Sequence, residues 1–477
     1  MARKQKQGRM ARKHGRCSND LKVTLVDSLR PALEWFAKND SFADLRRHGN
    51  VGWTVTQLVV LAVLWSWSDQ RTLTGAFEQA CRLAIKIFGQ VALTTYQGFT
   101  GALRSYSDQL LPLLWSHLQR LMEKSAGQHW RIGKWLPLAV DGTRVTTPRT
   151  SSNEKAFSAK DYGEGEKAKS KRKWKNKRRR SKKLSEPVKP QIWLTLMWHM
   201  GLKMPWCWKT GPSTASERHH LEELVQTHVF PSNTLLCCDA GFVGYELWKT
   251  FLDHGHSFLI RVGANVRLLR HLGAGVARHR NGFVYLWTKE AVRKKQPPLV
   301  LRLIELHGPR GKMYLVTNIL SQRDLSLTQA RQLYRLRWGV ELQFRAFKQT
   351  FGRGKLRSRT PSNAVVELNW SLVGLWLIQL FAVKEQIKID SPPEQSSVAL
   401  SLSIIQDAMR NWSDVIRGPR ELSRRLSQAT KDSYTRTGSK RARYRPQYKD
   451  KPSCSKPILV NPTRAQRQAY QLLRAAA

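Results

Sequence analysis

Tyr334, Arg337, Glu341 and Lys348 are residue types that can do chemistry together if one element gathers them. At 100° per residue a helix through these positions brings all four within roughly 60° of arc, along about 21 Å of its length. One carboxylate then stands among a phenol, a guanidinium and an ammonium. Carboxylates hold divalent cations, and the other three groups suit the phosphates of a nucleic-acid strand.

The element that must carry them is legible around them. Ser326 followed by Gln329 is a capping box, and Gly352 supplies a stop after the last turn. Leu333, Leu336, Val340, Phe344 and Phe347 form an apolar stripe beside the polar one, which predicts a helix with a core side and a working side. Taken alone, a Glu among bases reads as an ordinary surface ion pair. A functional reading needs partners elsewhere in the chain.

Two such partners are present. Leu136 to Val140 is a short apolar run that leads into Asp141-Gly-Thr, and Thr234 to Cys238 is another that leads into Asp239-Ala-Gly-Phe. Each pattern predicts a buried strand ending in an Asp. An Asp there, with Gly close behind, points into the crevice at the strand ends where α/β sheets meet their ligands. Either Asp alone reads at least as well as a turn former. With Glu341 they make three carboxylates, the ligand set of a two-metal phosphoryl-transfer site, in which ions about 3.5 to 4 Å apart activate the attacking oxygen and stabilise the leaving one.

On these residues the chain resembles the DDE transposases of the insertion-sequence-four family. The Tyr-x2-Arg-x3-Glu-x6-Lys signature runs from Tyr334 to Lys348 without a mismatch, and Asp141 and Asp239 precede it in order. The likeness spans about 135 to 383 and includes Phe258-Leu-Ile-Arg261 and Leu315-Val-Thr-Asn318. It implies an α/β fold with a ribonuclease-H-like catalytic core, and a catalytic and metal-binding triad of Asp141, Asp239 and Glu341. It also implies a requirement for Mg2+ or Mn2+, as two ions, and cut-and-paste movement of a DNA element by hydrolysis and strand transfer. The partners it implies are double-stranded DNA, as terminal inverted repeats and as target, and a second copy of the chain in a complex with two DNA ends. Tyr334, Arg337 and Lys348 then serve to clamp phosphates near the scissile bond. Two alternatives stay open: a metal-dependent nuclease that cuts without joining, and a catalytically silent DNA-binding descendant of a transposase.

Charge and length agree with that reading. The 477 residues suffice for two or more domains, and 82 Lys plus Arg against 34 Asp plus Glu give a formal +48. Such a balance calls for a polyanionic partner whose affinity falls steeply with salt. A membrane surface is the competing polyanion. The longest apolar runs, 58–67 and 372–383, are shorter than the roughly 20 residues a spanning helix needs, so they read as buried helices and no membrane partner is expected. The basic start, residues 1–16, leads into no apolar segment and is not a secretory signal, so a cytoplasmic, nucleoid-associated protein is expected. The six cysteines lack paired CxxC spacing and read as reduced and structural.

The organisation follows. Residues 1–130 are expected to form a helical domain, with an apolar segment at 55–67 and an amphipathic one at 106–122; in the resembling family this position carries DNA-end recognition. The first part of the core spans 131–264, interrupted by a basic hairpin insert at about 150–189. Within that insert, 12 of the 17 residues from Lys167 to Lys183 are Lys or Arg. Lys171, Arg172, Arg178, Arg179 and Arg180 are the candidates there for DNA-backbone contact, with a merely solvated loop as the alternative. The helix read at 212–226 carries His219 and His220, which lack ligand spacing and read as surface or core groups. A β-rich insertion is expected at 265–311, the second part of the core with the Glu helix at 312–385, and a basic C-terminal region at 386–477. In the resembling family an aromatic of such an insertion holds a base flipped from the DNA end; Trp287, in Phe283 to Trp287, is the candidate, with core packing as its other reading. Residues 352–355 read as a basic turn. The tail from 417 shows little periodicity and reads as partly disordered, or as ordering on DNA or in a dimer.

Overall fold

The computed structural model describes residues 23–38, 42, 45, 51–158, 189–272, 282–308, 311–431 and 456–475. The basic run 167–183, with Lys171, Arg172, Arg178, Arg179 and Arg180, lies outside these residues.

The apolar runs that lead into the two Asp residues form neighbouring strands of one mixed sheet. β1 (Leu136–Thr146) and β4 (Thr234–Cys238) pair in parallel, and both are buried on their two faces where they are uninterruptedly apolar. β2 (Gln191–His199) and β3 (Met204–Gly211) extend the sheet antiparallel on one side of β1, and β5 (Ser257–Val262) lies parallel to β4 on the other. Beyond β5 the same sheet continues through β9 (Gly311–Thr317), β8 (Leu299–Gly308), β7 (Phe283–Leu286) and β6 (Arg267–Leu269). The segment read as a β-rich insertion therefore widens this sheet, joined to it by the antiparallel β5–β9 pair.

One expectation is corrected. Asp141 does not end its strand: β1 runs on to Thr146, and its ladder with β2 is continuous from Leu138↔His199 to Thr146↔Gln191. The apolar pattern stops where one face opens to the site, but the backbone hydrogen bonds do not. Within the basic C-terminal region the described residues 456–475 form two regular elements. β10 (Ile458–Val460) pairs with β6 and covers that edge of the sheet, and the helix Arg464–Ala475 places Tyr470 edge-on to Trp287, with ring centroids 6.4 Å apart.

The helical N-terminal segment and the helices that follow the Glu341 region share one core. The helix Val55–Trp67 starts at a Thr54/Gln57 capping box, and Tyr96–Ala126 begins ten residues earlier than its amphipathic pattern suggested, because Thr95 caps it there. Both pack on Pro361–Ile387. That 27-residue helix is long and apolar enough to cross a membrane, but nearly all of its apolar window is enclosed by the protein. Two of its buried polar groups find partners inside: Glu367 accepts the backbone N–H of Arg357 and Ser358, and Asn369 accepts from the Trp208 indole. Gly374 allows the close approach, since a Cβ there would meet Ser66 Oγ at 2.0 Å. Gly352, at φ +67°, makes the expected turn after the Glu341 region. Arg353 then turns inward and donates to Ser371 Oγ and the Ser66 carbonyl, so this basic residue is a structural one.

Candidate active site

The register of β1 with β4 pairs Ala139 with Cys237, so two residues further on Asp141 comes level with Asp239. Asp141 Oδ1 accepts from its neighbour Gly142 N at 2.9 Å. Asp239 opens a short 3-10 turn, Ala240–Phe242, and its Oδ1 accepts from Gly241 N at 2.7 Å. Each Asp is thus oriented by the backbone just behind it.

Glu341 reaches the pair on a helical segment that is not one regular helix. Leu327–Leu336 starts at the Ser326/Gln329 capping box, a turn at 337–338 follows, Gly339–Arg345 resumes, and Ala346–Thr350 is a π-helical turn. Gly339–Arg345 packs on β1. Gly339 allows that approach: a Cβ there would lie 2.0 Å from Trp198 Cη2 on β2.

Tyr334, Arg337 and Glu341 converge despite the break. The Arg337 guanidinium lies 5.5 Å from the Tyr334 ring centre, and its Nη2 is 3.5 Å from Glu341 Oε1. Tyr334 and Arg337 are each 8% exposed, and among the described residues the Tyr334 hydroxyl and Arg337 Nε and Nη1 have no hydrogen-bond partner. Lys348 lies beyond the π turn and donates to Thr143 Oγ1 at 2.6 Å, two residues past Asp141 on β1. Trp287 is 5% exposed, its indole donates to the Gln296 carbonyl at 2.9 Å, and no described contact joins it to the carboxylates. His219 makes exposed contacts with Glu222 and Glu223, whereas His220 is buried against Thr195 Oγ1.

A fourth acid stands in the cleft that sequence reading passed over. Glu217 begins the helix Glu217–Thr227, and its carboxylate lies over Gly142, where a Cβ would meet Oε1 at 2.7 Å. At the first turn of a helix a Glu looks like a charge that complements the helix dipole, so its type and place carried no signal of a site.

These charges strain one another. Burial pushes Asp141 up to about 6, with Asp239 and Glu341 adding to the rise and the Gly142 N–H and Arg337 opposing it. Burial and the charges of Asp141 and Asp239 push Glu217 up to about 7, with Arg144 and Arg218 opposing the rise. Burial works against the charge of Arg337, but Tyr334, Asp141, Asp239 and Glu341 together hold its pKa above the ordinary value. Burial lowers Lys348. The stability consequence has a definite sign. Between about pH 4 and pH 7 the folded, metal-free protein keeps protons that the unfolded chain has released, so these two acids lower its stability as pH rises through that window. Urea midpoints at pH 5 and pH 8 check this: the loss on going to pH 8 should be smaller in Asp141→Asn than in the wild type, and an equal loss would contradict it.

The donor set is hard oxygen, which suits magnesium or manganese better than softer metals. Among the described residues no three acidic, imidazole or thiol groups are already gathered at metal-holding distance. Glu341 is instead paired to Arg337. A separate apolar groove of about 520 Å³ lies along another side of the same helix, against Trp338, Leu342, Trp198 and Val383. It contains none of the three predicted carboxylates.

The comparisons with known proteins meet this geometry. Residues 136–377 match the transposase DDE domain family, and the chain belongs to that family. It is 26% identical over 272 residues to transposase InsG for insertion sequence element IS4 of Escherichia coli (strain K12), a match that covers 54% of this chain and 55% of that protein. The chain therefore matches about half the length of that curated relative. Among solved structures it is similar to a piggyBac transposase synaptic complex with hairpin DNA, at 12% identity and a TM-score of 0.38, covering 89% of this chain and 88% of that one.

Proposed function

We propose that the chain is a DNA transposase that excises and inserts an insertion sequence by metal-dependent phosphodiester hydrolysis and strand transfer. The observation that carries the reading is the convergence of Asp141 on β1 and Asp239 just past the end of the parallel β4, with the Glu341 segment packed on the same β1. Family membership supports it. So does the strand order β3-β2-β1-β4-β5, with β2 antiparallel and β4 parallel to β1, which fits a ribonuclease-H-like core.

In this reading Asp141, Asp239 and Glu341 hold Mg2+ or Mn2+, which when bound supplies activation of water or a 3′-hydroxyl and stabilises the leaving oxygen. The protein's own groups position the DNA. Arg337, buried and with two nitrogens unpartnered, is preset to receive a phosphate. Burial raises the Tyr334 phenol, so it stays a hydrogen-bond donor at neutral pH. Lys348, held to Thr143 beside Asp141, provides a second cation at the same strand. Positioning of this kind is a large part of phosphoryl-transfer catalysis. Two copies of the chain would bring two DNA ends together, in the cytoplasm with the nucleoid.

The test uses labelled DNA carrying the inverted repeats that flank the coding region, a target plasmid, and separate counts of nicked and joined products. Wild-type protein should nick and join with Mg2+ or Mn2+ and do neither after chelation. Arg337→Ala and Lys348→Ala should lower joining more than the first nick, because joining needs the cut end to stay clamped. Tyr334→Phe should be milder, losing one hydrogen bond worth roughly 0.5 to 1.5 kcal/mol. Nicking without joining under either metal would shift the assignment to a nuclease, and joining that is unaffected in all three variants would remove the clamp.

The run 167–183 contributes affinity without sequence preference in this reading. Its deletion should flatten the plot of log K against log salt by roughly 0.9 for each phosphate that the run neutralises on duplex DNA. An unchanged slope would make the run a solvated loop.

A further inference from the structure

We propose that Glu217 is a fourth metal-facing carboxylate of this cleft, one that helps the Asp141–Asp239 pair capture a divalent cation. The inference rests on the reading of that pair as a metal site. Its own basis is the placement of Glu217. The helix Glu217–Thr227, capped by Ser216, lies across β1, β2, β3 and the Ala240–Phe242 turn, so its first residue faces the ends of both Asp-bearing segments. Glu217 Oε1 is 2.7 Å from where a Gly142 Cβ would stand, and Oε2 is 4.0 Å from where a Gly241 Cβ would stand. The glycine directly after Asp141 thus leaves the space into which this carboxylate fits, and Gly241 lies within contact distance of it.

Glu217 is half-buried, yet no hydrogen bond or ion pair joins its carboxylate to a described residue, although a Glu at the start of a helix is free to turn toward solvent. Arg337 is more than nine-tenths buried, engages Asp141, Asp239 and Glu341 electrostatically, and has Nε and Nη1 without a partner among the described residues. An unpaired carboxylate at Glu217 and unfilled, buried guanidinium donors at Arg337, placed about the same two Asp residues, are complementary to a cation together with a phosphate. Sequence alone could not place Glu217 here, because 75 residues separate it from Gly142.

The test is direct Mn2+ binding to the full chain without DNA, read by calorimetry or by the loss of the free Mn2+ spin-resonance signal. It compares wild type, Glu217→Gln and Asp141→Asn. Glu217→Gln should weaken Mn2+ binding about 10- to 100-fold. Its metal-free melting temperature should stay level or rise, since one of several crowded charges is gone. Asp141→Asn should weaken Mn2+ binding at least as much. If Glu217→Gln binds Mn2+ like the wild type while Asp141→Asn does not, the metal site stands and the role of Glu217 is overturned. If the wild type itself binds no Mn2+, the reading of the site falls and the inference with it.

Discussion

Asp141→Asn, Asp239→Asn and Glu341→Gln should each lower metal-dependent DNA cleavage by about 10³-fold or more, since a bound ion supplies several kcal/mol of charge stabilisation and each 1.36 kcal/mol is tenfold in rate. Each change removes one negative charge with little change of shape. DNA binding should stay near the wild-type level, because attraction to the backbone comes from the excess of 82 basic over 34 acidic residues. Asp141 and Asp239 are oriented by the Gly142 and Gly241 N–H groups, and an Asn Oδ1 can accept the same bonds, so folding should survive. Gel-shift and nicking assays on the same preparations separate the two properties. Full nicking by any one of the three variants would sink the three-carboxylate account.

Gly339→Ala should be the most damaging single methyl group near the site. A Cβ at 339 would lie 2.0 Å from Trp198 Cη2 and 2.6 Å from Cζ3. Trp198 is 2% exposed, so its buried ring and the helix must move apart. Overpacking of this kind costs about 1 to 3 kcal/mol of stability. The loss of activity should be larger than that figure suggests, because the displaced segment carries Glu341 and Arg337. Pairing Gly339→Ala with Trp198→Leu, which opens space beside residue 339, should restore part of the cleavage. A Gly339→Ala protein with wild-type melting temperature and wild-type cleavage would show that this packing does not set the position of Glu341.

Much of this site was legible in the residues because its parts are local patterns. The Ser326/Gln329 capping box forms as expected, and the stripe from Leu333 to Phe347 faces the core. The two apolar runs became the adjacent strands β1 and β4. What escaped depends on long-range pairing. β1 continues past Asp141 because β2 supplies its hydrogen bonds, and nothing within 141–146 announces that partner. The π turn at Ala346–Thr350 redirects Lys348 toward Thr143, whereas a regular helix would have kept it in line with Glu341. β10 is three residues long and exists only because β6 leaves an open edge. Glu217 joins the cleft through a helix that crosses three strands.

The central claim is that residues far apart in the chain form one divalent-cation site, and iron-directed cleavage of the protein tests it most directly. Fe2+ replaces Mg2+ at oxygen sites, and with ascorbate and peroxide it cuts the backbone near wherever it is bound. The account predicts three groups of fragments, ending near 141, 239 and 341, all suppressed together by excess Mg2+ and all absent in Asp141→Asn. Cuts near only one of these positions, or cuts that Mg2+ does not suppress, would contradict it.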